Sequence, residues 1–174
     1  MDLKNIDIVE FKVNNALNLF YNKDAILIKD GLCERCLAHR FAVHLEEQNF
    51  DGYFIDCEYN KRHLNRKITS KRVSNPNGNY IDIVITKRNG NSEDDIICFE
   101  LKRHNNYRGR QKDRDNLSIL TNGHDFGYKF GFYIIFNPNK WKTTIELYSE
   151  SAKVFDYRLE RAENNRIKIV RNSP

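Results

Sequence analysis

The order of the apolar segments along the chain is the feature that most constrains its fold. Three strand-like segments precede a helix-like segment and a fourth strand-like segment: 53–59, 80–86, 96–102, 111–120 and 129–136. The turn residues Asn89, Gly90 and Asn91 join the second and third strands as a hairpin. A three-strand meander followed by a helical crossover to a fourth strand predicts a mixed sheet. We therefore expect an α/β domain whose central mixed sheet has four or five strands and helices on both faces.

The segments outside this core are predicted from the same patterns. Apolar residues at helical spacing predict a first helix over 6–21 and a second over 31–48. Segment 141–150 fits either a strand or a helix, and 154–160 with 166–171 predicts a terminal hairpin. A chain of 174 residues fits one domain. We expect a single domain over 1–174, with its core at about 31–136 and a C-terminal extension at 141–174.

Two further patterns bear on where the protein acts. The longest uncharged apolar run, at about 130–136, is too short to cross a bilayer. Residues 1–10 carry acids among apolar residues and lack the basic-then-apolar pattern of an export signal. We therefore expect a cytoplasmic protein with no membrane partner and with reduced thiols.

The positive charge is concentrated in two segments. The formal net charge is +5, but 60–79 holds six cations and no acid, and 102–114 holds six cations and one acid. Either run alone fits a solvated surface; the two together favour a nucleic-acid partner, because each neutralised phosphate releases counterions. The candidate phosphate-binding residues are Lys61, Arg62, Arg66, Lys67, Lys71, Arg72, Arg103, Arg108 and Arg110.

Four cysteines stand at 33, 36, 57 and 98, the first two with C-x-x-C spacing. A tetrahedral zinc site would need a second such pair. A thioredoxin-like site usually has Gly or Pro between its cysteines, whereas Glu34 and Arg35 stand here. We interpret all four cysteines as small buried or half-buried residues, with metal or redox use as the less favoured alternative.

Strand alternation brings three chemically active side chains together. Glu100 and Lys102 point to one face of the third strand, and Asp82 points to one face of the second. Adjacent strands lie about 4.8 Å apart, so Asp82 and Glu100 are expected to be close enough to bind one cation. Such carboxylates repel each other, and a hard divalent cation such as Mg²⁺ removes the conflict. Lys102 would then hold a water or stabilise developing charge.

Glu34 is the unexpected acid of the predicted second helix. At about 100° per residue it falls within the apolar stripe of that helix rather than on its wet face. A carboxylate there is costly unless it is paired or bound to metal. A first-turn acid stabilised by the helix dipole is the alternative interpretation.

Asp82, followed on the next strand by Glu100-Leu101-Lys102, resembles the core of the PD-(D/E)XK nuclease superfamily, which has a restriction-endonuclease-like αβββαβ fold. The resemblance spans about 31–136, and 33–46, 56–60, 81–85 and 99–102 resemble an uncharacterised bacterial branch of it. It implies that Glu34, Asp82 and Glu100 are acidic site residues and that Lys102 is the catalytic lysine. The metal ligands would be Asp82, Glu100, the Leu101 backbone carbonyl and Glu34, directly or through water. Ile81 stands where the superfamily often has proline.

Two acids are secondary candidates for the same site. Glu58 shares a strand face with Asp56, and Asp113 lies at the start of the predicted helix over 111–120. A wet strand face explains Glu58 equally well, and a helix cap explains Asp113 equally well.

These patterns together predict a metal-dependent nuclease. We expect it to hydrolyse phosphodiester bonds, with DNA as the favoured substrate, Mg²⁺ as cofactor and Mn²⁺ as a substitute. The alternative is a catalytically inactive module on the same fold that binds nucleic acid or a partner protein. Cutting a duplex makes a homodimer attractive, and a partner subunit could supply specificity.

Overall fold

The computed structural model describes residues 3, 5–59, 61–64, 67–70, 80–89, 91–123, 127–161 and 166–172, with the backbone alone described at 61–64, 67–70 and 92. The helices are α1 (Ile6–Lys23), α2 (Ala25–Lys29), α3 (Glu34–Glu46) and α4 (Arg110–Leu120), with 3₁₀ turns at Ser92–Asp94 and Lys140–Lys142. The strands are β1 (Phe54–Tyr59), β2 (Lys61–Leu64), β3 (Lys67–Ser70), β4 (Ile81–Thr86), β5 (Asp95–Arg103), β6 (Phe130–Phe136), β7 (Thr144–Ser149), β8 (Ala152–Arg161) and β9 (Ile167–Arg171).

The main sheet of the described chain is mixed and has seven strands in the order β1-β4-β5-β6-β7-β8-β9. Neighbouring strands are antiparallel except β5 and β6, which are parallel and joined through α4. Parallel strands require such a crossover because the end of the first strand and the start of the second lie at opposite ends of the sheet. The predicted α/β class and mixed sheet are thus confirmed, and the predicted number of four or five strands is wrong.

The additional strands come from the C-terminal part of the chain. Segment 141–150, which fitted strand or helix equally, contains β7, and β7 is buried on both faces between β6 and β8. β7 buries a charged residue, Glu146, whose carboxylate is paired with Arg114. The predicted terminal hairpin, β8 with β9, continues the same sheet.

One face of the sheet is covered by α1 and α3. Apolar residues at helical spacing on both helices enter the larger core cluster, and β4, β5 and β6 supply its opposite wall. At its centre the Phe41 ring lies 5.9 Å from Phe99, 5.6 Å from Phe136 and 6.1 Å from Phe20. Truncating a fully buried Phe in such a cluster costs about 3–5 kcal/mol, so α3 is firmly fixed on the sheet.

The opposite face is covered by α4, whose Leu117 and Leu120 pack in a smaller cluster with Val84, Cys98 and Tyr133. Val84 and Cys98 therefore face α4, while Ile83, Ile85, Ile97 and Phe99 face α1 and α3; Ile96, near the start of β5, also packs in the larger cluster. Asp82 and Glu100 share the parity of Val84 and Cys98. Ile81, at the start of β4, also packs in the smaller cluster, although strict alternation predicted the other face.

The first basic segment contains the small antiparallel sheet of β2 and β3. Lys61 and Arg62 lie on β2 and Lys67 lies on β3, and their side chains are outside the described part. The other three candidates of this segment, Arg66, Lys71 and Arg72, lie outside the described residues altogether. Among the helices that are described, none is long and apolar enough to span a membrane.

Candidate active site

Asp82 on β4 and Glu100 on β5 lie opposite each other on the α4 side of the sheet. The β4–β5 register pairs Ile83 with Phe99, and continuing it by one residue places Asp82 beside Glu100. Asp82 Oδ2 accepts a hydrogen bond of 2.7 Å from the backbone N–H of Leu101. The N–H and C=O of one strand residue point toward the same neighbouring strand, so the Leu101 carbonyl also points toward β4.

The two carboxyl groups are electrostatically strained. The pKa of Asp82 is raised to about 7, chiefly by burial and also by Glu58, against the opposing effects of the Leu101 amide and Lys102. Burial raises the pKa of Glu100 well above its usual value, and the adjacent Asp82 adds to this. Neighbouring buried carboxyl groups of this kind need either a shared proton or a cation.

Lys102, the third predicted residue, lies between two acids from different helices. Its Nζ is 3.1 Å from Asp113 Oδ2 on α4 and 3.5 Å from Glu34 Oε2 on α3. Burial lowers the pKa of Lys102, but Asp113 and Glu34 more than offset this, so its pKa lies above the usual value. Lys102 is therefore an ammonium ion at neutral pH, and Asp113, the secondary candidate, is its nearest anion.

Glu34 is the first residue of α3 and turns inward. Its Oε1 accepts hydrogen bonds from the Asn106 side-chain amide at 2.7 Å and from the Arg103 backbone N–H at 3.1 Å. Its Oε2 faces Lys102. Both oxygens are thus used by protein donors, which makes Glu34 a residue that holds Lys102 and the loop after β5.

These side chains differ in how well each is suited to bind a cation. Among the described residues no three His, Cys, Asp or Glu side chains are grouped so as to hold a metal ion. Asp82 and Glu100 suit a hard dication by their chemistry, since both are buried carboxyl groups whose ionisation a positive charge would favour. The Leu101 carbonyl is on the side of β5 that faces β4. Mg²⁺ commonly binds only one or two protein carboxylates, and waters and phosphate oxygens complete its coordination. Glu34 fits only through a water.

Glu58 lies next to this group in the sheet. The β1–β4 register pairs Cys57 with Ile83 and Tyr59 with Ile81, which leaves Glu58 beside Asp82. Its φ of 52° is uncommon for a residue other than Gly or Asn and marks local strain. The Glu58 carboxylate forms an ion pair of 3.2 Å with Arg35.

Two of the predicted phosphate-binding arginines are used inside the protein. Arg103 donates to the Gly31 carbonyl at 2.7 Å. Arg110 donates to the carbonyls of Asn106 and His104, at 2.8 and 2.7 Å, and its guanidinium lies 4.3 Å from the Tyr107 ring centre. Both therefore support the loop that carries Asn106. Arg108 is exposed at the surface of the same loop.

Three features of this region were not predicted from the sequence: Asn106, Tyr133 and the pair of Arg114 with Glu146. Asn106, which donates to Glu34, gave no pattern signal because its partner is distant in the chain. Tyr133 on β6 is paired with Glu100 in the parallel register, and its buried hydroxyl has no hydrogen-bond partner. Arg114 donates to both oxygens of the buried Glu146 on β7, at 2.7 to 3.1 Å. The pairing of Tyr133 depends on the register of the sheet, and that of Arg114 on the packing of α4 against β7.

The cysteines differ from their interpretation as buried or half-buried residues. Cys33, Cys36 and Cys57 are exposed, and Cys98 alone is buried. Cys33 and Cys36 lie at the start of α3, next to Arg35, which is exposed as well. The Cys33 and Cys36 sulfur atoms are 3.2 Å apart, and this contact lowers the pKa of Cys33.

No family model matches the chain, and no curated protein or solved structure matches it either. The resemblance to PD-(D/E)XK nucleases therefore stays a prediction that depends on Asp82, Glu100 and Lys102.

Proposed function

We propose that this protein is a Mg²⁺-dependent nuclease that hydrolyses phosphodiester bonds, with DNA as its favoured substrate. One observation carries the proposal: a protonated lysine, Lys102, held by acids from two helices, stands two residues from Glu100 and beside the pair Asp82–Glu100. A buried acid pair with raised pKa values is typical of catalytic sites rather than of structural ones.

Each residue has a distinct part in the proposed reaction. Asp82 and Glu100 would hold the cation, with the Leu101 carbonyl as a further ligand. When bound, Mg²⁺ polarises a phosphoryl oxygen and lowers the pKa of a coordinated water. Lys102 donates hydrogen bonds to the phosphate as negative charge develops on it. Because the pKa of Lys102 is raised, it acts as a donor and not as the base.

The surrounding residues orient this lysine. Asp113 and Glu34 approach Nζ from α4 and α3, so the ammonium group cannot rotate away without breaking an ion pair. Asn106 holds Glu34 in turn. Such supporting contacts usually affect activity tenfold or more when they are removed. Exposed Arg108 and the basic segment at 60–79 would bind neighbouring phosphates of the nucleic acid.

A non-catalytic nucleic-acid-binding module is the second candidate. The observation in its favour is that the described residues contain no group of three metal-ligating side chains. Such a module would bind nucleic acid with a strong salt dependence and would be unaffected by a chelator. A protein-interaction module would bind none even at low salt.

The discriminating experiment is incubation with linear duplex, circular duplex and single-stranded DNA in Mg²⁺ or Mn²⁺, with EDTA as the control. We expect cleavage with either metal and none in EDTA. Lys102→Ala and Glu100→Gln should each abolish it, and Glu100→Gln keeps the volume of the side chain. Lys153→Ala, an exposed lysine on β8, is the matched control and should cut like the parent.

Two results would contradict the proposal. Cleavage that persists in both Lys102→Ala and Glu100→Gln would exclude this site as its source. Salt-sensitive binding without cleavage in either metal would favour the binding module. Sedimentation of the protein with a duplex oligonucleotide would also test the proposed homodimer, since a duplex cut requires two sites.

A further inference from the structure

The thiols of Cys33 and Cys36 meet at the exposed start of α3. Cys33 is the residue that caps the helix, with φ −66° and ψ 157°, and Cys36 is its third residue. Side chains at these two positions are neighbours, which is why in a capping box each accepts a hydrogen bond from the backbone N–H of the other residue. The sulfur atoms lie 3.2 Å apart, and both residues are exposed.

We infer that Cys33 and Cys36 form a redox-active dithiol that exchanges with low-molecular-weight disulfides. A disulfide bond is about 2.05 Å long, so the two sulfurs need to approach by only about 1 Å. Cys33 lies outside the regular helix, where rotation about its side-chain bonds meets no preceding turn. Both sulfurs can be reached from solvent by a small disulfide.

The exchange with a small disulfide takes place in two steps. One thiolate of the pair attacks a sulfur of the small disulfide, forms a mixed disulfide and releases one small thiolate. The second cysteine then attacks the protein sulfur of that mixed disulfide and releases the other small thiol. The protein loses two hydrogens and is oxidised, the small disulfide is reduced to two thiols, and those thiols take up the two protons.

A metal site is the other use of two adjacent thiols. Zinc held by protein takes four ligands in structural sites and three in catalytic ones. Over the described ranges, no third His, Cys, Asp or Glu joins the pair as a ligand group. Disulfide exchange needs only the two sulfurs that are in contact.

The pair brackets Glu34, the residue that holds the loop after β5. Helix ends fray, and fraying of the first turn of α3 would release Glu34 from the Arg103 amide and from Asn106. A bond between the cap and the third residue would suppress that fraying. Oxidation is therefore expected to tighten the Glu34 contacts.

The bond itself can be detected by peptide mapping. Trypsin cleaves after Lys29, Arg35 and Arg40, so it separates peptides 30–35 and 36–40, each with one cysteine of the pair. After oxidised glutathione these two peptides should remain joined, and dithiothreitol should separate them. Cys33→Ser and Cys36→Ser should instead carry a glutathione adduct on the remaining thiol. Cys57→Ser, which removes an exposed thiol on β1, is the matched control and should still form the link.

The inference is overturned if the parent protein accumulates only glutathione adducts at 33 and 36, or if either cysteine links to another chain. Amide hydrogen exchange tests the consequence without relying on catalysis. In the oxidised protein the amides of residues 34–37 and of Arg103 should exchange several-fold more slowly than in the reduced protein. Equal exchange in the two forms would refute the effect on Glu34, whatever the nuclease assay gives.

Discussion

Asp82 gives the sharpest quantitative prediction, because its raised pKa connects charge, stability and metal binding. The folded protein binds the Asp82 proton more tightly than the unfolded chain does, since the pKa rises from 3.8 to about 7 on folding. The contribution of Asp82 to the stability of the metal-free protein should therefore fall as the pH rises from about 4 to about 7, and then stay level. The difference between the two pKa values corresponds to about 4 kcal/mol.

Asp82→Asn removes this penalty and keeps the shape of the side chain. The asparagine Oδ1 can still accept the hydrogen bond from the Leu101 amide. In EDTA at about pH 8 we expect the variant to be roughly 2–4 kcal/mol more stable than the parent, and at about pH 4 we expect the two to be nearly equal. Asp156→Asn, at an exposed position on β8, is the control and should change stability by less than about 0.5 kcal/mol at either pH.

The measurement is urea unfolding at a series of pH values, with and without Mg²⁺. Saturating Mg²⁺ at about 100 times its dissociation constant should stabilise the parent by about 2.7 kcal/mol at pH 8 and should not stabilise Asp82→Asn. A variant that is no more stable than the parent at pH 8 would refute the argument. So would a difference of equal size at pH 4 and pH 8, because it would come from packing and not from charge.

Three further variants test the contacts around the site. Asn106→Ala removes one of the hydrogen bonds that hold Glu34 and should lower kcat/KM of the proposed nuclease about tenfold or more; unchanged kinetics would remove Asn106 from the site. Tyr133→Phe deletes a buried hydroxyl without a partner and should raise the unfolding free energy by about 1 kcal/mol in urea, whereas a loss would reveal a partner. Glu146→Gln breaks the pair with Arg114 and should cost about 2–3 kcal/mol by the same assay; a change below about 0.5 kcal/mol would mean that the pair contributes little.

The amino-acid sequence by itself determined most of the helices and strands around the site and the identity of the strand acids. Local patterns suffice for this, because helical spacing and strand alternation act over a few residues. The helix predicted over 6–21 is observed at Ile6–Lys23, and the strand predicted over 96–102 is observed at Asp95–Arg103. The parity of Asp82 and Glu100 on adjacent strands followed from the same rules, and the observed register pairs their neighbours Ile83 and Phe99.

Only the tertiary structure decided how many strands share the sheet and what surrounds Lys102. β7 becomes an interior strand because β6 pairs with it on one side and β8 on the other, and these partners are set by the fold rather than by its own residues. The ion pairs of Lys102 join residues 68 and 11 positions away along the chain, on helices that pack on opposite faces of the sheet. These features arise from packing between distant segments, and no local pattern encodes them.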